Sequence, residues 1–122
     1  MPHCIFEYSA NIADEPNWPL IMTKLHEKLI STGQFQAEDI KSRVIRHENF
    51  LIGNGESDQS FITLNMQMLD GRSDEVKQDL SRLGLEILVA YFPQSLSQQK
   101  ASITVQISDI HRASYQRQVS YK

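Results

Sequence analysis

A proline directly follows the first methionine, and its nitrogen is a group that could do unusual chemistry. The chain begins MPHCIFEYS, so removal of Met1 would make Pro2 the amino terminus and leave a free secondary amine, which can act as a base. Proline also lacks an amide proton, which confines it to the first residue or the edge of a strand. Pro2 therefore fits either a catalytic amine or a structural position at the start of a strand.

An arginine between a predicted strand and a predicted helix is the second candidate. Arg72 lies in the segment DGRS, which separates the alternating run SFITLNMQML from a helical stretch. We expect it at the carboxyl end of a strand, beside a helix N-terminus, where anions bind readily. Arginine can hold a carboxylate through two parallel hydrogen bonds. The alternative is a solvated turn arginine or a surface ion pair.

The other titratable side chains carry weaker signals. His3 would point to the opposite face of a strand from Pro2, which favours packing or an interface over acid catalysis. Cys4 would share the face of Pro2 but has no evident activating partner, so it fits a small buried hydrophobic residue. The remaining histidines show no metal-ligand spacing with one another; they are His26, His47 and His111.

The composition is that of one ordinary globular domain spanning residues 1–122, with 40% hydrophobic and 22% charged residues. A net charge of -3 argues against nucleic-acid binding, which needs a basic field. Cys4 is the only cysteine, which excludes an internal disulfide and a multi-cysteine metal site and favours a reducing compartment. With no visible signal peptide or membrane span, we expect a cytoplasmic protein without a membrane partner.

The hydrophobic spacing changes from strand-like to helical and back, twice. The predicted strands cover residues 2–9, 39–52, 60–69 and 102–110, with helices from Trp18 to a stop at Gly33 and from Asp74 to near Pro93. Each β-α-β unit should join parallel strands by a right-handed crossover. The sequence therefore predicts an α+β fold in which two units share a four-stranded mixed sheet, with both helices on one face.

One face of this sheet would remain uncovered by helices. Its expected side chains are mostly uncharged and polar, namely Thr63, Asn65 and Gln67 in one strand and Ser102, Thr104, Gln106 and Ser108 in another. A solvated face more often carries Lys and Glu. This pattern favours contact with other subunits, although an ordinary solvated face also fits it.

Several short segments lie in a distinctive order along nearly the whole chain. They are Pro2-His3, Ile5, Glu7, Ser9, Asn11-Ile12, Thr32-Gly33, Phe35, Ile40, Ser42-Arg43-Val44 and Gly71-Arg72-Ser73. In their joint order and spacing they resemble the 5-carboxymethyl-2-hydroxymuconate isomerase family of the tautomerase superfamily.

The resemblance implies a homotrimer and a proton-transfer enzyme that needs no metal and no organic cofactor. Pro2 would take a proton from the 2-hydroxyl of a carboxylated dienol, and the isomeric unsaturated 2-keto acid would result. Partial burial and nearby cations would lower the pKa of the amine towards the operating pH, where a base works best. The same cations would bind the carboxylates of a small enol substrate in the catabolism of aromatic compounds.

The resemblance assigns these cationic positions to Arg72 and Lys41. Lys41 departs from the family, where arginine is expected, and lysine keeps the charge but loses the planar fork. Arg43 would share the face of Lys41 and is either a third substrate-binding cation or part of a subunit interface. The departure leaves open another superfamily reaction, such as phenylpyruvate-type tautomerisation, hydration or dehalogenation. A non-catalytic trimeric binding protein also remains open, because a retained Met1 would make the Pro2 nitrogen an amide.

Overall fold

The computed structural model describes residues 1–121; Lys122, the last residue of the expected domain, lies outside them. The strands are β1 His3–Ser9, β2 Lys41–His47, β3 Gln59–Leu69 and β4 Lys100–Ile110. The α-helices are α1 Trp18–Ser31, α2 Asp74–Tyr91 and α3 Pro93–Gln98, and short 3₁₀-helices cover Ala37–Asp39 and Arg112–Ser114. Within the described range, no helix has both the length and the apolar character needed to cross a membrane.

The sheet has the strand order β2-β1-β3-β4. β1 runs parallel to β2 and antiparallel to β3, and β3 runs parallel to β4. This confirms the predicted α+β fold, a mixed sheet built from two β-α-β units. The pairing has a consequence for function, because the starts of β1 and β2 and the ends of β3 and β4 all lie at one edge of the sheet. At that edge His3 pairs with Lys41 and Gln67, and Leu69 pairs with Ile110.

The two long helices begin at side-chain caps. Asn17 Oδ1 accepts a hydrogen bond from the Leu20 amide at 3.2 Å at the start of α1. Ser73 Oγ accepts one from the Val76 amide at 3.2 Å at the start of α2. These caps satisfy amides that have no partner inside the helix. Ser73 directly follows Arg72, so the cap of α2 also fixes the backbone beside the candidate arginine.

The hydrophobic core lies between one face of the sheet and the helices. Alternate residues of β1 and β3 are buried there, among them Phe6 and Met66, both with no exposed surface. The apolar stripe of α1 covers them, and Trp18 packs against the rings of Phe6 and Phe92 at 5.3 and 5.6 Å. Both long helices therefore lie on one face, as predicted, and the other face of the sheet is open.

Two local features differ from the expectation. β2 ends at His47 instead of continuing to residue 52, because its partner β1 ends at Ser9, which pairs with His47. After α2 the chain forms the unexpected short helix α3, whose first turn is held by the Asp14 carboxylate. The Ser95 amide donates to Asp14 Oδ2 at 2.7 Å, a contact between segments distant in the sequence.

Candidate active site

The amino terminus lies at the sheet edge where four strand ends meet. Pro2 is fully buried, and its carbonyl oxygen accepts a hydrogen bond from the Lys41 amide at 3.1 Å. Met1 is among the residues that line a cavity of about 270 Å³ at this point. The cavity is lined by Met1, Gly33, Gln34, Phe35, Gln36, Asp39, Leu69, Arg72, Arg112 and Arg117.

Arg72 lines this cavity and is fixed by neutral groups. Its Nη1 donates to the Leu69 carbonyl oxygen at 3.1 Å, and its Nε and Nη2 donate to Gln34 Oε1 and O at 3.2 and 3.4 Å. The guanidinium carbon lies 4.7 Å from the centre of the Phe35 ring, a cation–π contact. Within residues 1–121 no carboxylate forms an ion pair with it. Burial and the charge of Arg112 lower the pKa of the guanidinium, and the Asp109 carboxylate opposes them without contacting it.

Lys41 lies beside the cavity but does not line it. Its Nζ donates to the carbonyl oxygens of Asp39 and Glu38 at 3.3 and 3.5 Å. These partners are neutral, and no ion pair to Lys41 is found in the described part of the chain. Lys41 thus resembles Arg72 in carrying a charge without an ion-pair partner among the described residues.

The amino terminus has an electrostatic environment that favours the neutral amine. Burial lowers the pKa of the Met1 amino group below its ordinary value of 8.0. The Asp39 carboxylate opposes this and raises the pKa, while the charges of Lys41, Arg117 and Arg72 lower it further. The Pro2 nitrogen lies within about 4 Å of the Met1 nitrogen, since consecutive residues are that close, so the same charges act on both.

The C-terminal tail contributes two further arginines that the sequence reasoning missed. Arg112 Nη2 donates to the Asp70 carbonyl oxygen at 2.8 Å, and its Nε lies 3.6 Å from the Asp70 carboxylate. Arg117 Nη2 lies 3.1 Å from Asp39 Oδ1. The position of Arg112 just after β4, which pairs with β3, was a usable signal for its nearness to Arg72. The tail beyond it has no hydrophobic periodicity, so nothing in the sequence indicated where Arg117 lies.

The other candidates fall outside the cavity. Arg43 lies on the open face of the sheet, where its Nη1 donates to His3 Nδ1 at 3.1 Å, a position that favours the interface interpretation over substrate binding. Burial, followed by the charge of Arg43, lowers the pKa of His3. Cys4 is fully buried, and burial raises its pKa to about 11, so it behaves as a hydrophobic residue. Among residues 1–121, no group of three His, Cys, Asp or Glu side chains could hold a metal ion.

A larger cavity of about 590 Å³ lies between α1 and α2. Its floor is apolar and includes Leu83, Ile87 and Tyr91, and its rim carries charges of both signs such as Lys28 and Glu86. It lacks the amino terminus, and two of the three cations that line it, Lys24 and Arg82, lie in ion pairs. The smaller cavity is therefore the candidate active site, because it combines an amine of lowered pKa with positive charge.

Comparison with solved structures defines the class of protein. The chain superposes on a crystal structure of a 5-carboxymethyl-2-hydroxymuconate isomerase from Deinococcus radiodurans R1 with a TM-score of 0.89 and 26% identity, covering 96% of this chain and 88% of that one. It also matches a fused 4-OT described as a symmetric trimer, with a TM-score of 0.71 and 12% identity, covering 91% of this chain and 87% of that one. The fold is that of the tautomerase superfamily.

Sequence comparison narrows this class to a family. The family model for 5-carboxymethyl-2-hydroxymuconate isomerase matches residues 2–121, so the chain belongs to this family. A curated relative, the 5-carboxymethyl-2-hydroxymuconate Delta-isomerase of Escherichia coli, is 27% identical over 111 residues, which cover 91% of this chain and 88% of the relative. The resemblance noted from the sequence is thus confirmed, and the chain is an isomerase of the tautomerase superfamily.

Proposed function

We propose that the protein is a cofactor-free isomerase of carboxylated 2-hydroxydienoates such as 5-carboxymethyl-2-hydroxymuconate, with Pro2 as the base. One observation carries the proposal. Two cations whose partners are all neutral, Arg72 and Lys41, lie close to the amino terminus at the edge of a small cavity. A substrate with more than one carboxylate supplies the negative charge that this arrangement lacks. The reaction would belong to the cytoplasmic catabolism of aromatic compounds.

Removal of Met1 would expose the Pro2 nitrogen as a secondary amine in this environment. Secondary amines are strong bases, so the amine acts near neutral pH only if its ammonium form is disfavoured. Burial and the neighbouring cations disfavour that form, as they do for the Met1 amino group. The neutral amine then takes the proton of the substrate 2-hydroxyl, the conjugated electrons shift, and a proton is delivered to a carbon further along the chain.

Arg72 is the residue that we assign to carboxylate binding in the cavity. Its contacts with Leu69 and Gln34 hold the guanidinium in place before substrate binds, which lowers the entropy lost on binding. Lys41 would supply the second positive charge from the edge of the cavity. Its single ammonium group binds a carboxylate less specifically than the fork of arginine, so the preferred substrate of this chain can differ from that of its relatives.

We also propose that the protein assembles as a homotrimer through the open face of the sheet. This face carries the uncharged polar side chains of β3 and β4, and Ile45 on β2 is 43% exposed there. The fused 4-OT with the same fold is described as a symmetric trimer, which supports the proposal. Light scattering after size-exclusion chromatography should give three times the monomer mass, and a monomer at micromolar concentration would refute it.

The test of the catalytic proposal combines mass and rate. Intact mass should show that Met1 has been removed from the native protein. Ketonisation of 5-carboxymethyl-2-hydroxymuconate, followed by ultraviolet absorbance, should then fall in Pro2→Ala, which puts a primary amine in place of the secondary one. It should fall by about 100-fold or more in protein that keeps Met1, where the Pro2 nitrogen is an amide and the base is lost. Pro19→Ala is the matched control, because Pro19 is an exposed residue in the first turn of α1, outside the residues that line the cavity.

Two outcomes would contradict the proposal. Protein with a retained Met1 that works at the rate of the processed protein excludes the Pro2 amine as the base. A retained Met1 in the native protein leaves the Pro2 nitrogen as an amide and favours a non-catalytic binding role. A panel of enols, phenylpyruvate and halogenated unsaturated acids separates the assigned substrate class from the other reactions that the Lys41 departure leaves open.

A further inference from the structure

The C-terminal tail forms one wall of the candidate active site through contacts with the 3₁₀-helix Ala37–Asp39. Tyr121 Oη donates to the Glu38 carbonyl oxygen at 3.3 Å, and Arg117 contacts Asp39. Arg112 fixes the beginning of the tail against Asp70. The tail therefore brings a cation to the only carboxylate that lines the cavity among the described residues.

The Asp39 carboxylate has little to compensate its charge apart from Arg117. The Asp39 side chain is 22% exposed, and its Oδ1 is buried without a hydrogen-bond donor in residues 1–121. Arg117 Nη2 lies 3.1 Å from this oxygen, at ion-pair distance but not aligned as a hydrogen bond. The contact is thus chiefly a neutralisation of charge. Removing one partner of such a pair leaves the other charge uncompensated in a partly buried place.

A free Asp39 carboxylate would oppose the proposed reaction in two ways. It would stabilise the ammonium form of the amine, because an opposite charge nearby favours the charged form. It would also repel the substrate carboxylates that Arg72 is placed to bind. The charged groups that act on the amine are Asp39 on one side and Lys41, Arg117 and Arg72 on the other.

We propose that Arg117 is a positioning residue for the reaction: its guanidinium neutralises Asp39, so that the amine and the substrate meet a cationic wall. This inference rests on the proposed function of Pro2 as the base. The electrostatics of the amino terminus support it, since Asp39 raises and Arg117 lowers the pKa of the amino group. A purely structural Arg117, which only pins the tail, would have no such effect on the amine.

The experiment measures the amine directly. The protein, processed to begin at Pro2 and labelled with ¹⁵N-proline, is titrated by NMR to give the pKa of the Pro2 amine. Arg117→Gln should raise this pKa by about half a unit to one unit, Asp39→Asn should lower it, and the double variant should return close to wild type. The profile of kcat/KM against pH should move in parallel, which costs about 3- to 10-fold in rate below the midpoint, and the plateau should also fall because the free Asp39 carboxylate repels the substrate.

Control variants separate charge from structure. Arg82→Gln removes the same charge from an exposed pair with Asp79 on α2 and should leave the amine pKa unchanged. Arg117→Lys keeps the charge and should titrate like wild type. If Arg117→Gln alone does not fold, the double variant compared with Asp39→Asn decides, because loss of the Arg117 charge should raise the amine pKa in that pair as well.

Different experimental results would contradict the role of Arg117 and the role of Pro2. An Arg117→Gln protein with the wild-type amine pKa, or a double variant that does not return towards wild type, overturns the role of Arg117. Neither result bears on whether Pro2 is the base. Full activity of protein that keeps Met1 would overturn the proposed function, while the NMR titration of the Arg117 variants would still report the coupling to the amine.

Discussion

Replacement of Arg72 by glutamine should separate substrate binding from control of the amine. Glutamine keeps a polar side chain but removes the charge and the fork. In the structure Arg72 has three hydrogen bonds to neutral oxygens and one contact with the Phe35 ring, and no ion pair within residues 1–121. The charge that glutamine removes is therefore the one available to a substrate carboxylate.

The magnitude follows from the value of one charge-assisted hydrogen bond. Such bonds contribute about 1.5–3 kcal/mol, and the lower half of that range applies because Arg72 is only partly buried. We therefore expect kcat/KM to fall by about 12- to 45-fold at the plateau of the pH profile. The midpoint of the profile of kcat/KM against pH should rise only slightly. Of the three cations that lower the pKa of the amino group, Arg72 has the weakest effect.

The assay is steady-state ketonisation followed by ultraviolet absorbance from pH 6 to pH 9. Arg72→Lys, which keeps the charge, should fall between wild type and Arg72→Gln, and Arg82→Gln should match wild type. Circular dichroism and the thermal midpoint show whether Arg72→Gln is folded, since it also loses contacts with Leu69 and Gln34. A folded Arg72→Gln with kcat/KM within twofold of wild type would refute the assignment. The assignment would also be refuted if the midpoint of the pH profile of Arg72→Gln moved while kcat/KM at the plateau stayed unchanged.

Two further predictions concern Lys41 and Cys4. Lys41→Arg restores the planar fork and should lower KM by about 3- to 10-fold for a substrate with several carboxylates, as measured by steady-state kinetics; an unchanged KM would mean that this side chain does not contact the substrate. Burial raises the pKa of Cys4 from 9.0 to about 11, so the unfolded chain releases this proton at lower pH than the folded one. The free energy of unfolding should therefore fall between pH 9 and pH 11, by up to about 3 kcal/mol, in chemical denaturation. In Cys4→Ser the free energy of unfolding should fall less between pH 9 and pH 11. An equal fall in both proteins would contradict the raised pKa of Cys4.

The fold was predictable because its signals are local and repeated. The alternation in β3 and the helical spacing that begins at Trp18 each depend on neighbours within a few residues, and both agree with the structure. The length of β2 was not predictable in this way. It depends on where β1 ends, because a strand continues only while a partner supplies hydrogen bonds, and Ser9 is the last residue that pairs with it.

The candidate site was predictable only in part, for the same physical reason. Pro2 and Arg72 are marked by their places relative to elements that the sequence reveals, namely the start of one strand and the end of another. Asp39 and Arg117 meet through a tail without periodicity that lies against a distant 3₁₀-helix. A contact of that kind depends on the tertiary structure, so a single sequence carries no signal for it.

The distribution of partners among the four cations near the amino terminus explains how a small site can be positive without excess repulsion. Arg112 and Arg117 each lie beside a carboxylate, Asp70 and Asp39 respectively, so both pairs are nearly neutral. Arg72 and Lys41 donate hydrogen bonds only to carbonyl and amide oxygens and have no ion pair within residues 1–121. Four free cations in this space would repel one another and depress the pKa of the amine too far for it to act as a base near neutral pH. Two free cations leave a moderate field, which a substrate with two or more carboxylates would neutralise on binding.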